Sequence, residues 1–518
     1  MDSTKSEDGH RIAWRLAGAA VVLAAALVAF APEAVAQSSA TKADAEARRY
    51  VNQLSDTFNN ILQNYVDKPE AAKVFEGAMK GMLDSLGDTW STYLDEAAMS
   101  DMKGITTGGY AGVGCYISKQ SRDAAKGEDQ PLYIEIVSPI EGTPAWKAGL
   151  KPGDLILKID GESTLPLSST EAQKLIQGPA GTAVVLTIKR GDEAPFDSAI
   201  VRARVEIPAI KHAVIKTAAG NVAYLRIIDF TLAAKARLYE AIRDLDAQGY
   251  SSMILDLRNN PGGLLVSAID IADAFLDSGA IVSTRGRDAL DESMSVAKPD
   301  LAVPSGKPLV VLINRGSASA SEILAGALKD NKRAYLIGET SYGKAKVQEV
   351  FTFGDTGYKI TTARYYTPSG ENIDKLGIPP DLEVKEAPLT EAESQALSKL
   401  LATGKVAAFA KANPGASDAA RNAFAASLAK EGYALPERIL RLLVANELER
   451  TRMPAVYDLE FDTALNAALA VLANPKYPEL LAGAKTLREI VAERGAAGSA
   501  DAGKSGSAGA LPAPELKD

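Results

Sequence analysis

The period of the apolar positions changes several times along this chain. Residues 16–31 are apolar almost without a break. From 41 to 103 the apolar residues recur at helical spacing, first Leu54, Phe58, Ile61 and Leu62, then Phe75, Met79, Met82, Leu83 and Leu86. Between 104 and 192 the runs are short and set off by glycine and proline, as at Cys115–Ser118, and read as strands. From 193 to 388 compact apolar runs at 222–227, 253–257, 309–313, 334–337 and 358–363 read as strands. Helical stretches at 233–245, 264–275 and 319–329 alternate with them. Such alternation predicts a mostly parallel sheet with both faces covered. Helical spacing returns in the alanine-rich segment 389–495, for example at 397–409, 436–448 and 461–472. Residues 496–518 are rich in Gly, Ala and Ser and predict a disordered tail. The expected class is a multidomain α+β protein with helical regions at both ends.

Composition narrows the partners. The 518 residues carry a formal net charge of −9, so neither nucleic acid nor an anionic membrane surface is an expected partner. The single cysteine, Cys115, excludes an internal disulfide. That fits a reducing compartment without ruling out an exported protein large enough to need no staple. The run 16–31 is preceded by Arg11 and Arg15 and followed by Ala34-Val35-Ala36, a small-x-small cleavage pattern before Gln37. Residues 1–36 therefore read as a secretory signal; an uncleaved anchor is the alternative, although the run is short for a span.

Candidate chemistry centres on Arg315-Gly316-Ser317-Ala318-Ser319-Ala320-Ser321-Glu322-Ile323. The strand Leu309–Ile313 precedes it and a helix follows, so a serine falls at a helix N-terminus. Outward N–H groups and the helix dipole there favour a developing oxyanion. A plain serine N-cap is the other reading. Only His10 and His212 occur, and His10 lies in the signal. One histidine cannot build a multi-histidine metal site and offers a single triad candidate, so a lysine base is the expectation. Lys344 follows the next strand in Thr340-Ser341-Tyr342-Gly343-Lys344. Parallel strands joined by a helix end at one edge, which brings Ser319 and Lys344 together. The turn Arg258-Asn259-Asn260-Pro261-Gly262-Gly263 follows a third strand and reaches the same edge. Its glycines read as a tight turn or, beside that pair, as half of an oxyanion hole. His212 and Asp330 read as structural. Glu322, in the first turn, reads as a complement to the helix dipole. No G-x-x-x-x-G-K-[ST] loop occurs, which disfavours an ATP-dependent enzyme.

The ordered set LDLRNNPGG, RGSASASEI, GETSYGKAKVQ and TTARYYTPSGENI resembles the carboxy-terminal processing (tail-specific) proteases, a serine–lysine family with a PDZ domain. The resemblance covers roughly residues 50 to 386 and is specific as a set. It implies the nucleophile Ser319, the general base Lys344, and Gln348 to hold the lysine amine. The oxyanion donors would be a backbone N–H of Gly262 or Gly263 and that of Ala320. It implies a helical region at 37–103 for packing or dimerisation, a PDZ domain at 104–192 and a protease core at 193–388. The helical module at 389–495 would be an interaction or oligomerisation unit, or a plain tail. In the PDZ domain, Gly112, Val113, Gly114, Cys115 and Tyr116 would cup a peptide's terminal carboxylate and pair with its backbone.

The implied protein is an exported, periplasmic serine endopeptidase. It would recognise free, rather apolar C-termini of protein substrates and cleave by acyl transfer, without metal or cofactor. A possible adaptor protein and a homo-oligomer are the implied partners. Lys344 is expected to be buried, since desolvation is what brings a lysine toward working pH. A non-catalytic peptide-binding protein on the same fold is the alternative. One departure from the family pattern is Gln177, where many members carry arginine before the glycine of Leu175-Ile176-Gln177-Gly178.

Overall fold

The computed structural model describes residues 42–119, 133–140, 142–191, 193–206, 208–288, 291–299, 301–449 and 455–501. The signal read at 1–36 lies outside these residues. Among them, no helix is long and apolar enough to cross a membrane.

Residues up to Gly87 form one compact unit and those from Asp88 another. The first contains α1 (Lys42–Asn64) and α2 (Ala71–Asp84). Its apolar side chains include exposed Val51, Leu54, Ile61, Phe75 and Met82.

The second unit opens with β1 (Thr92–Leu94) and α3 (Glu96–Thr107). The helical reading of 41–103 therefore fails at 92–94, where a strand pairs antiparallel with a distant one, a non-local contact that local spacing does not report. β2 (Gly109–Gly112) then leads into a small β-rich body made of β3 (Cys115–Ser118), β4 (Ile134–Pro139), α4 (Pro144–Lys147), β5 (Leu155–Ile159), β6 (Glu162–Ser163), α5 (Ser169–Ile176), β7 (Ala183–Lys189) and β8 (Phe196–Val201). Its sheet runs β3-β4-β5-β7-β8, and Ile134, Ile136, Ile156, Leu186 and Ile188 fill its own core. β9 (Ala203–Glu206) returns beside β2, so two adjacent strands form the neck of this body.

The central sheet begins with the hairpin β10 (Ile210–Thr217) and β11 (Gly220–Ile227). After these come α6 (Ala234–Gln248), β12 (Ser252–Asp256), α7 (Leu265–Asp273), β13 (Ala280–Arg285), β14 (Ser293–Val296), β15 (Leu309–Ile313), α8 (Ala320–Asp330), β16 (Tyr335–Gly338), β17 (Lys346–Phe353), β18 (Thr356–Tyr366) and β19 (Leu382–Glu383). Strand order is β10-β11-β12-β15-β16-β19, parallel from β11 onward. A second sheet, β1-β18-β13-β14 with β17 also on β18, packs into the same core through Ile281, Val282 and Tyr365.

Because β11, β12, β15 and β16 advance in one direction, right-handed crossovers place α6, α7 and α8 on one face. Leu238, Ile271 and Leu324 there meet Met253, Leu255, Val311 and Ile313. The alternate residues Ile254, Val310, Leu312 and Ile337 point to the other face, as strand pleating requires. That face is covered from the far end of the chain.

The C-terminal helices are α9 (Glu391–Ala402), α10 (Lys405–Ala412), α11 (Asp418–Lys430), α12 (Glu437–Glu449), α13 (Thr463–Leu472), α14 (Tyr477–Gly483) and α15 (Leu487–Asp501). The helix expected at 397–409 breaks at Gly404, which takes a left-handed φ of 64°. Helices α9 to α12 surround their own core of Leu400, Leu428, Leu440 and Val444. By contrast, Leu465 and Ala468 of α13 and Tyr477 of α14 pack on the second face of the central sheet. The Tyr477 hydroxyl donates to the Leu309 carbonyl at 2.7 Å. The helix α15 runs to Asp501, so the tail read as disordered from 496 begins with helix, and 502–518 lie outside the described residues.

Candidate active site

The parallel register aligns Asp256 with Leu312 and Ile313 with Gly338, so three loops leave one sheet edge together. They are stitched to each other. The Ala318 N–H donates to the Asn260 carbonyl at 3.0 Å, and the Tyr342 N–H to the Ser317 carbonyl at 3.0 Å. The Asn314 side chain accepts from the Asn259 N–H at 2.9 Å and donates to the Asn259 side chain at 2.9 Å.

Geometry separates the three serines of 317–321. Ser317 and Ser321 are buried, and their hydroxyls donate to the carbonyls of Leu257 at 2.8 Å and Asn260 at 2.9 Å. They hold the neighbouring turn. Ser319 is half-buried and stands at the N-cap of α8 with φ 55° and ψ −113°. A non-glycine residue in such a region costs about 1–3 kcal/mol and must be held by its surroundings.

Glu322 does much of that holding. Its fully buried carboxylate accepts from the Ser319 N–H at 2.8 Å, the Gly343 N–H at 2.6 Å, the Lys344 N–H at 2.9 Å and the Ser341 hydroxyl at 2.6 Å. The Ser341 oxygen itself accepts from the Ile378 N–H, which leaves its proton for Glu322. Burial pushes the carboxyl pKa up, while four donors favour the ionised form. The Tyr365 hydroxyl lies within hydrogen-bond reach of both the Ser319 carbonyl, at 3.2 Å, and the Lys344 carbonyl. The backbones of Ser319 and Lys344 are thus tied twice. Sequence reasoning assigned Glu322 to the helix dipole and left Tyr365 out. The S-x-x-E spacing of a capping box signals only the first of the four Glu322 bonds.

Lys344 is half-buried, and its Nζ lies 3.8 Å from the centroid of the Trp90 ring. Burial, and then the nearby Lys359, bring it from 10.5 down to about 8; Asp88 and Glu322 pull the other way. Among the described residues the ammonium makes no hydrogen bond to Ser319 or Gln348. Gln348 instead donates to the Thr361 hydroxyl at 3.4 Å. Thr361 donates in turn to Asp88 at 2.6 Å, which also receives Lys346 at 2.8 Å and Ser91 at 2.7 Å. Burial would raise the Asp88 pKa, but these donors outweigh it and hold the carboxyl well below its usual range. Trp90 and Asp88 were not singled out in the sequence. They lie far from Lys344 along the chain and reach it through the pairing of β1 with β18.

The glycine turn presses on Ser319. A Cβ on Gly262 (φ 112°) would stand 2.8 Å from the Ser319 Cβ and 2.9 Å from the Ala320 N, so glycine is required there. The Gly262 N–H is taken by the Asn260 side chain at 2.8 Å. The Gly263 and Ala320 N–H groups remain as the candidate oxyanion donors.

His212 lies on β10 with its Nε2 3.4 Å from Asp244. Asp330 accepts from the N–H groups of Ser369 at 3.0 Å and Leu487 at 2.8 Å, a structural tie at the far end of α8. Among the described residues no cluster of His, Cys, Asp and Glu is placed to hold a metal ion.

Residues 221–384 match the Peptidase family S41, 135–190 a PDZ domain, and 16–98 the activating protease CtpB N-terminal domain. The chain is 42% identical over 383 residues to a carboxy-terminal-processing protease of Bartonella bacilliformis, covering 72% of this chain and 82% of that one. The chain belongs to the carboxy-terminal processing protease family. Other members include the carboxyl-terminal-processing protease of Synechocystis, 38% identical over 387 residues and covering 73% of this chain and 88% of that one. The carboxy-terminal processing protease CtpA of Bacillus subtilis is 34% identical over 351 residues, covering 67% and 71%.

In this protease the PDZ domain carries a groove of about 880 Å³. Val113, Gly114, Cys115 and Tyr116 line it, with Ile176 and Gln177 of the α5 end. Gly112 does not line it but backs against the Tyr110 ring. The Gly114 and Val113 carbonyls are engaged inward, by Ile140 and Ala145 N–H groups. Ser100, Asp101 and Lys103 of α3 form a further wall. Burial pushes the Cys115 thiol up to about 12, so it is inert at neutral pH.

Proposed function

We propose that this protease is an exported serine endopeptidase that cleaves by Ser–Lys acyl transfer and recognises the free, apolar C-terminal tail of its substrates in the PDZ groove. The observation that carries the reading is the double tie of Ser319 and Lys344 through Glu322 and Tyr365, with Lys344 titrating at about 8. Neutral Lys344 takes the Ser319 proton as the hydroxyl attacks the scissile carbonyl, and returns it to the leaving amine. The oxyanion is met by the Gly263 and Ala320 N–H groups, the latter at the positive end of α8. Water, deprotonated by the same amine, then releases the acyl group. In this working state Gln348 holds the lysine amine, which requires it to leave Thr361 and Lys344 to leave Trp90. Metal and cofactor have no part in these steps. The exposed apolar positions of α1 and α2 support a homo-oligomer, and an adaptor protein is the proposed trigger.

The test is cleavage of an unfolded protein with an apolar C-terminus. Ser319→Ala and Lys344→Ala are expected to abolish it, and His212→Ala to keep it. Loss of cleavage in a folded His212→Ala protein would overturn the lysine base. Export is checked by the N-terminus, expected at or near Gln37 on protein outside the cytoplasm; cytoplasmic protein retaining Met1 would contradict it.

A further inference from the structure

The turn that carries Gly262 and Gly263 begins at Arg258, and the arginine is held by two carboxylates. Its Nε donates to Asp256 at 3.0 and 3.1 Å, and its Nη2 donates to Asp256 at 2.6 Å. Its Nη1 and Nη2 also donate to the two oxygens of Asp462 at 2.8 and 2.6 Å. Asp256 is fully buried, and the side chains of Arg258 and Asp462 are 17% and 18% exposed, so the group is largely withdrawn from water.

The two carboxylates differ in what they can do. Asp256 lies two residues from Arg258 at the end of the same strand, and the Arg258 N–H donates to it at 2.9 Å. That pair moves with the turn. Asp462 lies on a different element, far along the chain: it is the N-cap of α13 and accepts from the Leu465 N–H at 2.9 Å. The other ties of the turn run to Ile227, Phe230, Asn314, Ala318 and Ser321, in the strands and loops of the core itself. Among the described residues, Asp462 is the one that tethers it to the helices on the opposite sheet face.

We propose that Asp462 is a positioning residue for the cleavage reaction: through its two-point grip on Arg258 it sets the height of the 258–263 turn against Ser319. The turn's tolerance is small, because the space between Gly262 and Ser319 is too narrow even for a Cβ, which would stand 2.8 Å from the Ser319 Cβ and 2.9 Å from the Ala320 N. A misplaced oxyanion donor forfeits its bond in the transition state rather than in substrate binding, so kcat falls while KM holds. The inference rests on the proposed roles of Ser319 and of the glycine turn.

The experiment uses the full chain. Asp462→Asn is the informative variant. Asparagine caps a helix as well as aspartate does, and Arg258 keeps Asp256, so no buried charge is orphaned. Asp462→Glu restores the carboxylate, and Glu460→Gln, in the same loop, serves as the control. With a peptide substrate ending in an apolar free C-terminus, Asp462→Asn is expected to lower kcat about tenfold. KM and the circular-dichroism melting temperature stay near wild type. Asp462→Glu is expected to recover a measurable part of kcat, and Glu460→Gln to keep it. Wild-type kcat in Asp462→Asn would overturn the proposal, as would a loss accounted for by unfolded protein. Ser319→Ala is run alongside. Cleavage surviving in Ser319→Ala refutes the Ser–Lys reading itself, whereas inactive Ser319→Ala with fully active Asp462→Asn refutes only the tether.

Discussion

In the proposed mechanism Lys344 sets the pH response of the site. At pH values below about 8 it is mostly charged and cannot accept a proton, so activity should rise with pH through a midpoint near 8, measured as kcat/KM against pH, which reports the free enzyme in which the amine lies over Trp90. The Trp90 ring adjusts that midpoint. A cation over an indole face gains about 0.5–2 kcal/mol, all of it in the charged form. Trp90→Leu keeps apolar cover over the amine and removes the ring. The midpoint should then fall by roughly 0.4 to 1.5 pH units, since one unit corresponds to 1.36 kcal/mol. An unchanged or higher midpoint would show that the ring does not hold the ammonium. Glu322→Gln tests the double tie. An amide offers an N–H₂ where donors already converge, and each buried group left unsatisfied costs about 1–3 kcal/mol. Cleavage should drop by at least a hundredfold, with a lower melting temperature. Retained activity would mean that the Ser319 turn and the Lys344 loop hold themselves.

The elements that local pattern specifies strongly were legible in advance. The strands at 222–227, 253–257 and 309–313 and the helix after Ser319 lie within a residue or two of the readings, because each is a compact apolar run closed by glycine or polar residues. The meeting of Ser319, Lys344 and the 258–263 turn was legible too, from the rule that parallel strands end at one edge. What escaped was non-local. The second sheet was missed because β17 is largely exposed along its length and β1 is three residues long, so neither shows a buried run. The role of 456–487 escaped for the same reason. Alanine-rich helical spacing looks alike on an appendage and on a core-covering helix. The structure makes α13 and α14 part of the core, so the enzyme should not survive their removal. Fully burying one side chain of leucine size is worth about 1.5–3 kcal/mol. Losing Leu465, Ala468 and Tyr477 together approaches the 5–15 kcal/mol that holds a domain. Truncation before 456 should give aggregated or unfolded protein by circular dichroism; a soluble, folded truncation would contradict this cover.

Across the whole molecule, the proposed tail recognition links the PDZ groove to Ser319. Gln177 lines that groove, at the position where the family resemblance implied arginine in many members. Arg202 does not replace it: its guanidinium donates to Ile176, Leu175, Thr182 and Ala183, all within the PDZ domain. A glutamine lacks the charge and the five-donor fork with which an arginine there would clamp the domain onto the core. The protease alone should therefore cleave slowly and be stimulated by a partner, and Gln177→Arg should raise the basal rate several-fold. Fast cleavage by the lone enzyme, unchanged in Gln177→Arg, would overturn that expectation.

The cover on the second sheet face also has a consequence in time. A ribosome delivers Ser319 and Lys344 well before it delivers Asp462 and Tyr477, at about 5–20 residues per second. Until the last helices emerge, Ile254, Val310, Leu312 and Ile337 have nothing to cover them. A growing chain thus holds its proposed cutting residues before it holds the helices that cover the sheet, and the sheet is covered only once 456–487 have been made. Stalled nascent chains ending before 456 should be degraded readily by an added protease within 210–384, whereas chains released after 501 should resist. Equal resistance at both lengths would show that the sheet matures without its final cover.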